Sequence, residues 1–282
     1  MKRKIKRISN KLFRKKEAAG PKSPLQEKVE QKRKEIEKKM RIPKIMFAVL
    51  FAALFIVLTK TKMFPILGTE FNFSFGVMFG PALGGLLGMP LGIFTIVLSQ
   101  VIGALIGLYT IKDTLSLLVF FPILIGSVYF ARSFRGDKRL VVIPLICMAG
   151  FLLHPIGREV WFYSLFWIIP MAVIVFKDRI DSRLKHPIAR TYSYSLGTAF
   201  VDHAVGSVVY LWFLNIPAQF WIAAIPLTLI ERLLIALGIT FSFHAVKAGM
   251  KALQDAAVAV AHANPHAEKE AQKEKPIGVP VR

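Results

Sequence analysis

Long apolar runs separated by short polar joints fill the chain between residues 43 and 246. An apolar helix of roughly 20 residues crosses the hydrocarbon core of a bilayer. The fifth run is short for a full crossing at about 1.5 Å per residue, so six or seven crossings remain alternatives to eight. The pattern predicts an all-α fold, a polytopic transmembrane helix bundle of about 6–8 spans. The eight candidate spans are residues 43–60, 71–89, 91–110, 114–131, 140–153, 159–176, 192–213 and 218–246.

Charge is concentrated outside these runs. The chain is 54% hydrophobic yet has a formal net charge of +21, a combination that is rare in soluble globular proteins. We expect a basic cytoplasmic amino-terminal segment at residues 1–42, a transmembrane domain at 43–248 and a disordered cytoplasmic tail at 249–282. Most basic residues of the joints fall on one side if the spans alternate, and that side faces the cytoplasm. This orientation predicts a multi-pass protein of the cell membrane with both termini cytoplasmic.

The basic amino-terminal segment invites a comparison with nucleic-acid-binding proteins. It lacks interleaved aromatic residues, apart from Phe13, and it abuts an apolar run. Attraction to anionic lipid contributes about 1 kcal/mol per basic residue near the surface. The sequence therefore favours anionic lipid, and not nucleic acid, as the partner of this segment.

Small residues recur at every fourth position in the second and third runs. The second run has glycines at residues 76, 80, 84 and 88, and the third has Thr95, Ser99, Gly103 and Gly107. On a helix this spacing makes a ridge along which another backbone can approach closely. The two ridges predict a tightly packed helical hairpin, joined near Pro90.

Five polar residues fall near mid-depth of the predicted spans. They are Gln100, Asp202, His203, Glu231 and Arg232. Ionisable groups inside a bilayer are costly and usually face a partner or a cavity. Pairing of Asp202 with Arg232, or of His203 with Glu231, would reduce that cost. The sequence leaves two interpretations open, a salt bridge that fixes helix docking and a site for binding or proton handling.

A second polar group falls near the outer ends of the spans. It includes Glu70, Asn72, Tyr109 and Asn215, which could line the mouth of an outward-facing cavity. Trp221 lies at the same level and is expected to be an interfacial anchor, the usual role of tryptophan there.

The motifs of the common catalytic sites are absent. The sequence has no His-Glu-x-x-His zinc motif, no phosphate-binding loop and no Gly-x-Ser-x-Gly elbow. A single cysteine excludes an internal disulfide and a cysteine–histidine metal framework. We therefore predict no enzyme, no cofactor, and neither catalytic nor metal-binding residues.

Several stretches resemble the substrate-binding S components of energy-coupling factor (ECF) transporters. The features are an Ala-x-x-x-Ala pair (Ala48, Ala52), an extended outer loop (residues 62–72), a Phe-Gly-Pro-x-x-Gly stretch at 79–84, and a late helix in which Pro226 precedes polar residues. The chain departs from the family in its extra apolar segments, at about 141–176, and in its basic extension.

The resemblance implies a membrane-embedded substrate-capture subunit of a small-molecule, vitamin-like uptake transporter. Separate ATPases would supply energy, and a transmembrane T component would contact Ala48 and Ala52. Glu70 and Asn72 would belong to the loop that closes over the ligand. The predicted substrate-binding residues are Glu70, Asn72, Gln100, Tyr109, Asp202, His203, Asn215, Glu231 and Arg232. The alternatives are a stand-alone proton- or ion-coupled secondary transporter and a non-transporting membrane scaffold.

Overall fold

Helices make up nearly all of the described chain, which comprises residues 42–70, 72–108 and 111–263 of a computed structural model. This confirms the predicted all-α class. Two 3₁₀ helices span Lys138–Val141 and Trp161–Trp167. The other elements are α1 (Lys44–Lys60), β1 (Lys62–Pro65), β2 (Asn72–Ser74), α2 (Gly76–Leu87), α3 (Met89–Leu105), α4 (Thr114–Leu118), α5 (Phe121–Ser133), α6 (Val142–Leu153), α7 (Pro155–Glu159), α8 (Ile168–Val175), α9 (Lys177–Arg183), α10 (Pro187–Phe213) and α11 (Ala218–Ala263).

The chain divides into a helical body, Pro43–Lys251, and a second unit made of the two terminal segments. Of that second unit the structure describes Ile42 and the carboxyl end of α11. Because α11 continues to Ala263, residues 249–263 of the predicted disordered tail are helical. The rest of the tail and the basic segment 1–41 lie outside the described residues.

Three stretches of the described chain are long and apolar enough to cross a membrane, namely Thr114–Ser133, Pro187–Phe213 and Ala218–Ala257. A fourth exists if Trp161–Val175 and Lys177–Arg183, which meet at a 68° bend, count as one broken span. The helices α2 and α3 are apolar but shorter. At 12 residues, α2 is only about 18 Å long. The structure thus supports a membrane protein, whereas the count of 6–8 spans stays a prediction.

A short antiparallel hairpin replaces the start of the second predicted span. Lys62 pairs with Ser74, and Pro65 pairs with Asn72. Residues 72–74 therefore belong to a strand, and α2 begins only at Gly76. Gly68, in the loop of the hairpin, has φ +77°, a conformation that glycine adopts without the steric penalty of a side chain.

The helices α2 and α3 form the predicted tight hairpin. A Cβ placed on Gly92 would lie 2.7 Å from backbone atoms of Gly84, and a Cβ on Gly84 would lie 2.5 Å from the Ser127 carbonyl oxygen of α5. The predicted ridges are only partly correct. Gly88 and Gly107 have positive φ and open space around them, so they turn the chain after each helix and pack against nothing.

The helix α1 buries the face that carries its two small residues. Ala48 is 5% exposed and Ala52 is 7% exposed. The Ser99 hydroxyl of α3 lies 3.4 Å from the Ala52 carbonyl oxygen, to which it donates. Ala48 and Ala52 are therefore packed inside the bundle in this conformation, and their contact with a transmembrane partner stays a prediction.

The bundle exposes many large apolar side chains and also buries several polar and charged ones within its apolar interior. Val49 on α1 is 66% exposed and Phe241 on α11 is 75% exposed. In contrast, Asp202 and Arg232 are buried, with 5% and 2% of their surface exposed. Soluble proteins almost never bury such residues unpaired, and they rarely expose large contiguous apolar patches. This arrangement is the one that a lipid environment requires.

Candidate functional site

A cavity of about 670 Å³ lies inside the helical body. Its walls come from the hairpin β1–β2, the ends of α1 and α3, the helices α4 and α5, the second 3₁₀ helix, and the facing parts of α10 and α11. Ligand pockets for small molecules typically measure about 300–1,000 Å³. The volume therefore suits a small organic molecule.

The inner wall of the cavity contains charged residues from two neighbouring helices. Asp202 and His203 are adjacent on α10, and Glu231 and Arg232 are adjacent on α11. All four are buried. Helices α10 and α11 are the two longest elements of the fold, at 27 and 46 residues. They hold these side chains on rigid segments and not on loops.

Arg232 is neutralised by its neighbour in the chain. One terminal nitrogen of its guanidinium donates to a carboxylate oxygen of Glu231 at 3.3 Å. The guanidinium also lies 4.6 Å from the ring centroid of Phe73 in β2, a distance suited to a cation–π contact. Its Nε has no hydrogen-bond partner. Through Phe73, the hairpin contacts the charged wall directly.

Asp202 has no such hydrogen-bonded neighbour in the described chain. Neither of its carboxylate oxygens has a hydrogen-bond partner in the described chain. The carboxylate lies over Gly126 of α5, where a Cβ would approach Oδ1 to within 1.9 Å. Glycine at this position thus provides the space that the carboxylate occupies. A buried carboxylate without a partner costs several kcal/mol, so Asp202 is a high-energy element of the empty cavity.

His203 is held in one protonation state by a buried hydrogen-bond network. The Trp167 indole N–H donates to Nδ1 at 3.2 Å, and indole can only donate. Nδ1 therefore has no proton, and the ring is neutral with its proton on Nε2. Nε2 lies 2.9 Å from the Tyr163 hydroxyl oxygen and can donate to it, which directs the hydroxyl proton to Thr228 Oγ1 at 3.0 Å.

The two cross-helix pairings expected from the sequence do not form. Arg232 pairs with Glu231 and not with Asp202, and His203 bonds Tyr163 and Trp167 and not Glu231. The reason is the rotation of each helix about its own axis. The two helices bring these residues to one cavity, but Asp202 faces α5 at Gly126 while Arg232 reaches toward Phe73.

Seven of the nine predicted binding residues line this one cavity, although five of them were expected near mid-depth and two near the outer ends of the spans. Asn215 does not line it. That side chain is exposed on the turn between α10 and α11, and Ile216 takes the inward position. Tyr109 lies outside the described residues. The seven lining residues are Glu70, Asn72, Gln100, Asp202, His203, Glu231 and Arg232.

Several aromatic lining residues were not predicted. Phe73 and Tyr163 gave no signal, because an aromatic residue in an apolar segment is usually part of the core or of the lipid boundary. Trp221 was expected to be an interfacial anchor, and this is wrong. It is buried, its indole N–H donates to the Ile216 carbonyl at 3.2 Å, and it lines the cavity. The rings of Tyr163 and Trp221 meet edge to face, 5.1 Å apart.

The cavity lacks the usual features of a metal centre. Within the described ranges, no group of three histidine, cysteine, aspartate or glutamate side chains is placed to hold a metal ion. The groups that converge on the cavity are hydrogen-bonding and aromatic. They can orient a small molecule by hydrogen bonds and ring contacts.

Comparisons with known proteins give one relative of unknown activity. No family model matches the chain, and no solved structure matches it. An uncharacterized protein of Methanocaldococcus jannaschii, MJ0923, is 26% identical over 117 residues. This match covers 39% of the present chain and 39% of that relative's length. The chain is therefore similar to part of an archaeal protein whose name states no function.

Proposed function

We propose that this protein is the membrane-embedded substrate-capture subunit of a small-molecule uptake transporter, with separate ATPases as its energy source. The observation that carries the proposal is the cavity, whose inner wall has buried, unpartnered hydrogen-bonding atoms on Asp202 and Arg232. A ligand that pairs with these atoms removes a large desolvation cost. The same wall would be unfavourable in a protein that only scaffolds.

The distribution of basic residues among the joints supports a cavity that opens to the outside. The joints at residues 60–75, 106–113 and 214–217 contain few basic residues, and the cavity is lined by residues from all three. The joints with most basic residues, at 132–139 and 177–190, contribute nothing to the cavity. Under the positive-inside rule, the cavity would face the outside, and substrate would enter from there. A multi-pass protein of the cell membrane with eight spans would then have both termini in the cytoplasm.

The alternative of a stand-alone proton-coupled transporter is less well supported. A relay that passes a proton through the ring of His203 needs both ring nitrogens to exchange protons, and the indole N–H of Trp167 already donates to Nδ1. Reconstitution separates the two functions. In liposomes with an imposed pH gradient, the protein alone should not accumulate substrate if it is a capture subunit.

Native mass spectrometry of the protein, tagged at its carboxyl terminus and gently extracted from its own membrane, tests the capture proposal. We expect a complex that contains a second integral membrane protein and two ATPases, or a bound small molecule in stoichiometric amount. A protein that is alone and empty in every preparation would contradict the proposal. Variants at Ala48 and Ala52 are unsuitable for this test, because these residues pack inside the bundle.

A further inference from the structure

We propose that the cavity is built for an organic cation, a ligand whose protonated nitrogen group donates hydrogen bonds to Asp202. This inference rests on the proposed capture function and names its substrate class. It follows from the balance of charge on the inner wall, the unpartnered atoms there, and the aromatic rings beside them.

On the inner wall, Asp202 is the acidic residue whose carboxyl oxygens have no hydrogen-bond partner in the described chain. Glu231 and Arg232 form an ion pair at 3.3 Å and cancel each other. His203 is neutral, because its Nδ1 accepts from the Trp167 indole. Of these four side chains, only Asp202 has no hydrogen bond at all within the described chain. A ligand with a positive charge would supply Asp202 with both hydrogen-bond donors and a counter-charge, whereas an anionic ligand would place a second acidic group beside it.

The unpartnered atoms specify the hydrogen bonds of the ligand. Two carboxylate oxygens of Asp202 need donors, and Nε of Arg232 needs an acceptor. An amidine, guanidine or primary amine group supplies two or more N–H donors. An oxygen or ring nitrogen elsewhere in the ligand would accept from Arg232.

The surroundings favour a flat cation over a compact one. Tyr163 and Trp221, 5.1 Å apart and nearly perpendicular, line the cavity with aromatic surface, and ring faces attract cations. The charged groups near the mouth do not reverse this preference. These groups are Lys60, Lys62, Glu70, Lys112 and Asp113, all exposed, so solvent and salt screen them.

Three probes of one shape and different charge test the inference. Benzamidinium, benzamide and benzoate carry +1, 0 and −1 on the same ring. The full-length protein, purified in lipid nanodiscs, is titrated with each by isothermal calorimetry. We expect benzamidinium to bind at least about 10-fold more tightly than benzamide, and benzoate not to bind. Equal or tighter binding of benzamide or benzoate overturns the inference, as does failure of all three to bind below about 10 mM.

A matched pair of variants locates the effect. Asp202→Asn keeps the shape of the side chain and should weaken benzamidinium binding about 10- to 100-fold. Asp255→Asn removes an exposed carboxylate of α11 that does not line the cavity and should leave binding unchanged. Benzamidinium affinity that is the same in wild type and Asp202→Asn overturns the inference. If Asp202→Asn does not fold, the comparison of the three probes on the wild-type protein still decides.

A negative result in the probe titration and a negative result in the search for ATPase partners would refute different proposals. Partners without preference for the cationic probe would leave the capture function standing and remove the cation site. A preference for the cationic probe in a protein that never associates with ATPases would support the cation site and remove the capture function.

Discussion

The contact between α2 and α3 makes a quantitative prediction about Gly92. In Gly92→Ala the new Cβ would lie 2.7 Å from the Cα and N atoms of Gly84, whereas carbon atoms normally approach to about 3.5–4.0 Å. The obstacle is backbone, which cannot rotate away as a side chain can. Gly84 cannot retreat either, because a Cβ at its own position would already lie 2.5 Å from the Ser127 carbonyl oxygen on the other side. The substitution must therefore strain the packing of α2 between α3 and α5.

The expected cost of Gly92→Ala follows from two opposed contributions. Overpacking against rigid neighbours costs up to about 3 kcal/mol. Alanine in place of glycine within a helix recovers about 1 kcal/mol. The net effect is a loss of about 2 kcal/mol in the free energy of unfolding, which for a protein of this size lowers the midpoint of thermal unfolding by about 4–8 °C.

Gly150→Ala is the matched control for this prediction. Gly150 lies in α6, and a Cβ there would meet only the Val208 side chain, at 3.5 Å, an ordinary contact. This variant should gain about 1 kcal/mol from helix propensity alone. Thermal unfolding in detergent, followed by tryptophan fluorescence, should place Gly92→Ala below wild type and Gly150→Ala above it. A Gly92→Ala protein as stable as wild type would show that backbone contact between α2 and α3 does not limit how closely the two helices pack.

Two further predictions concern charged groups. Arg232→Met leaves Glu231 buried and unpaired and should lower the free energy of unfolding by about 3–5 kcal/mol. The double variant Arg232→Met/Glu231→Gln should recover part of this loss in the same thermal unfolding assay. If it recovers nothing, the pairing of the two residues is contradicted. In the loop before the first 3₁₀ helix, a side-chain hydrogen bond from Arg139 lowers the pKa of Asp137 from its ordinary 3.8. Asp137 therefore contributes stability that is present above pH 3.8 and lost as the pH falls through its lower folded pKa. In a carbon-13 NMR titration Arg139→Gln should raise that pKa, and an unchanged titration would refute the assignment.

The helical spans could be predicted where the apolar run was continuous and long. The last two predicted spans, 192–213 and 218–246, correspond to α10 and α11, although both helices extend further. The hairpin was missed because its strands have only four and three residues. Such short strands show no convincing alternation, and pairing between distant residues decides their structure. The aromatic stretch at 71–75 therefore looked like the start of a helix.

The polar residues of the cavity could be predicted for a different reason. A charged residue at membrane depth is costly whatever its partner, so Asp202 and Arg232 were visible from their position alone. Their pairings depend on the rotation of each helix about its axis, which one sequence does not specify. Tyr163 was not visible at all. It lies 40 residues from His203 along the chain, and only the fold brings the two rings together.

The geometry bears differently on the two interpretations that the sequence left open. Glu231 and Arg232 pair at 3.3 Å within one helix, so this pair is not the salt bridge between two helices that one interpretation expected. Asp202 does not fit that role, because a structural carboxylate would accept hydrogen bonds from its neighbours, and neither of its oxygens does. The space over Gly126 accommodates the carboxylate without neutralising it. A group that is given room but no partner lowers the stability of the empty protein, and a ligand that completes it recovers that stability as binding free energy.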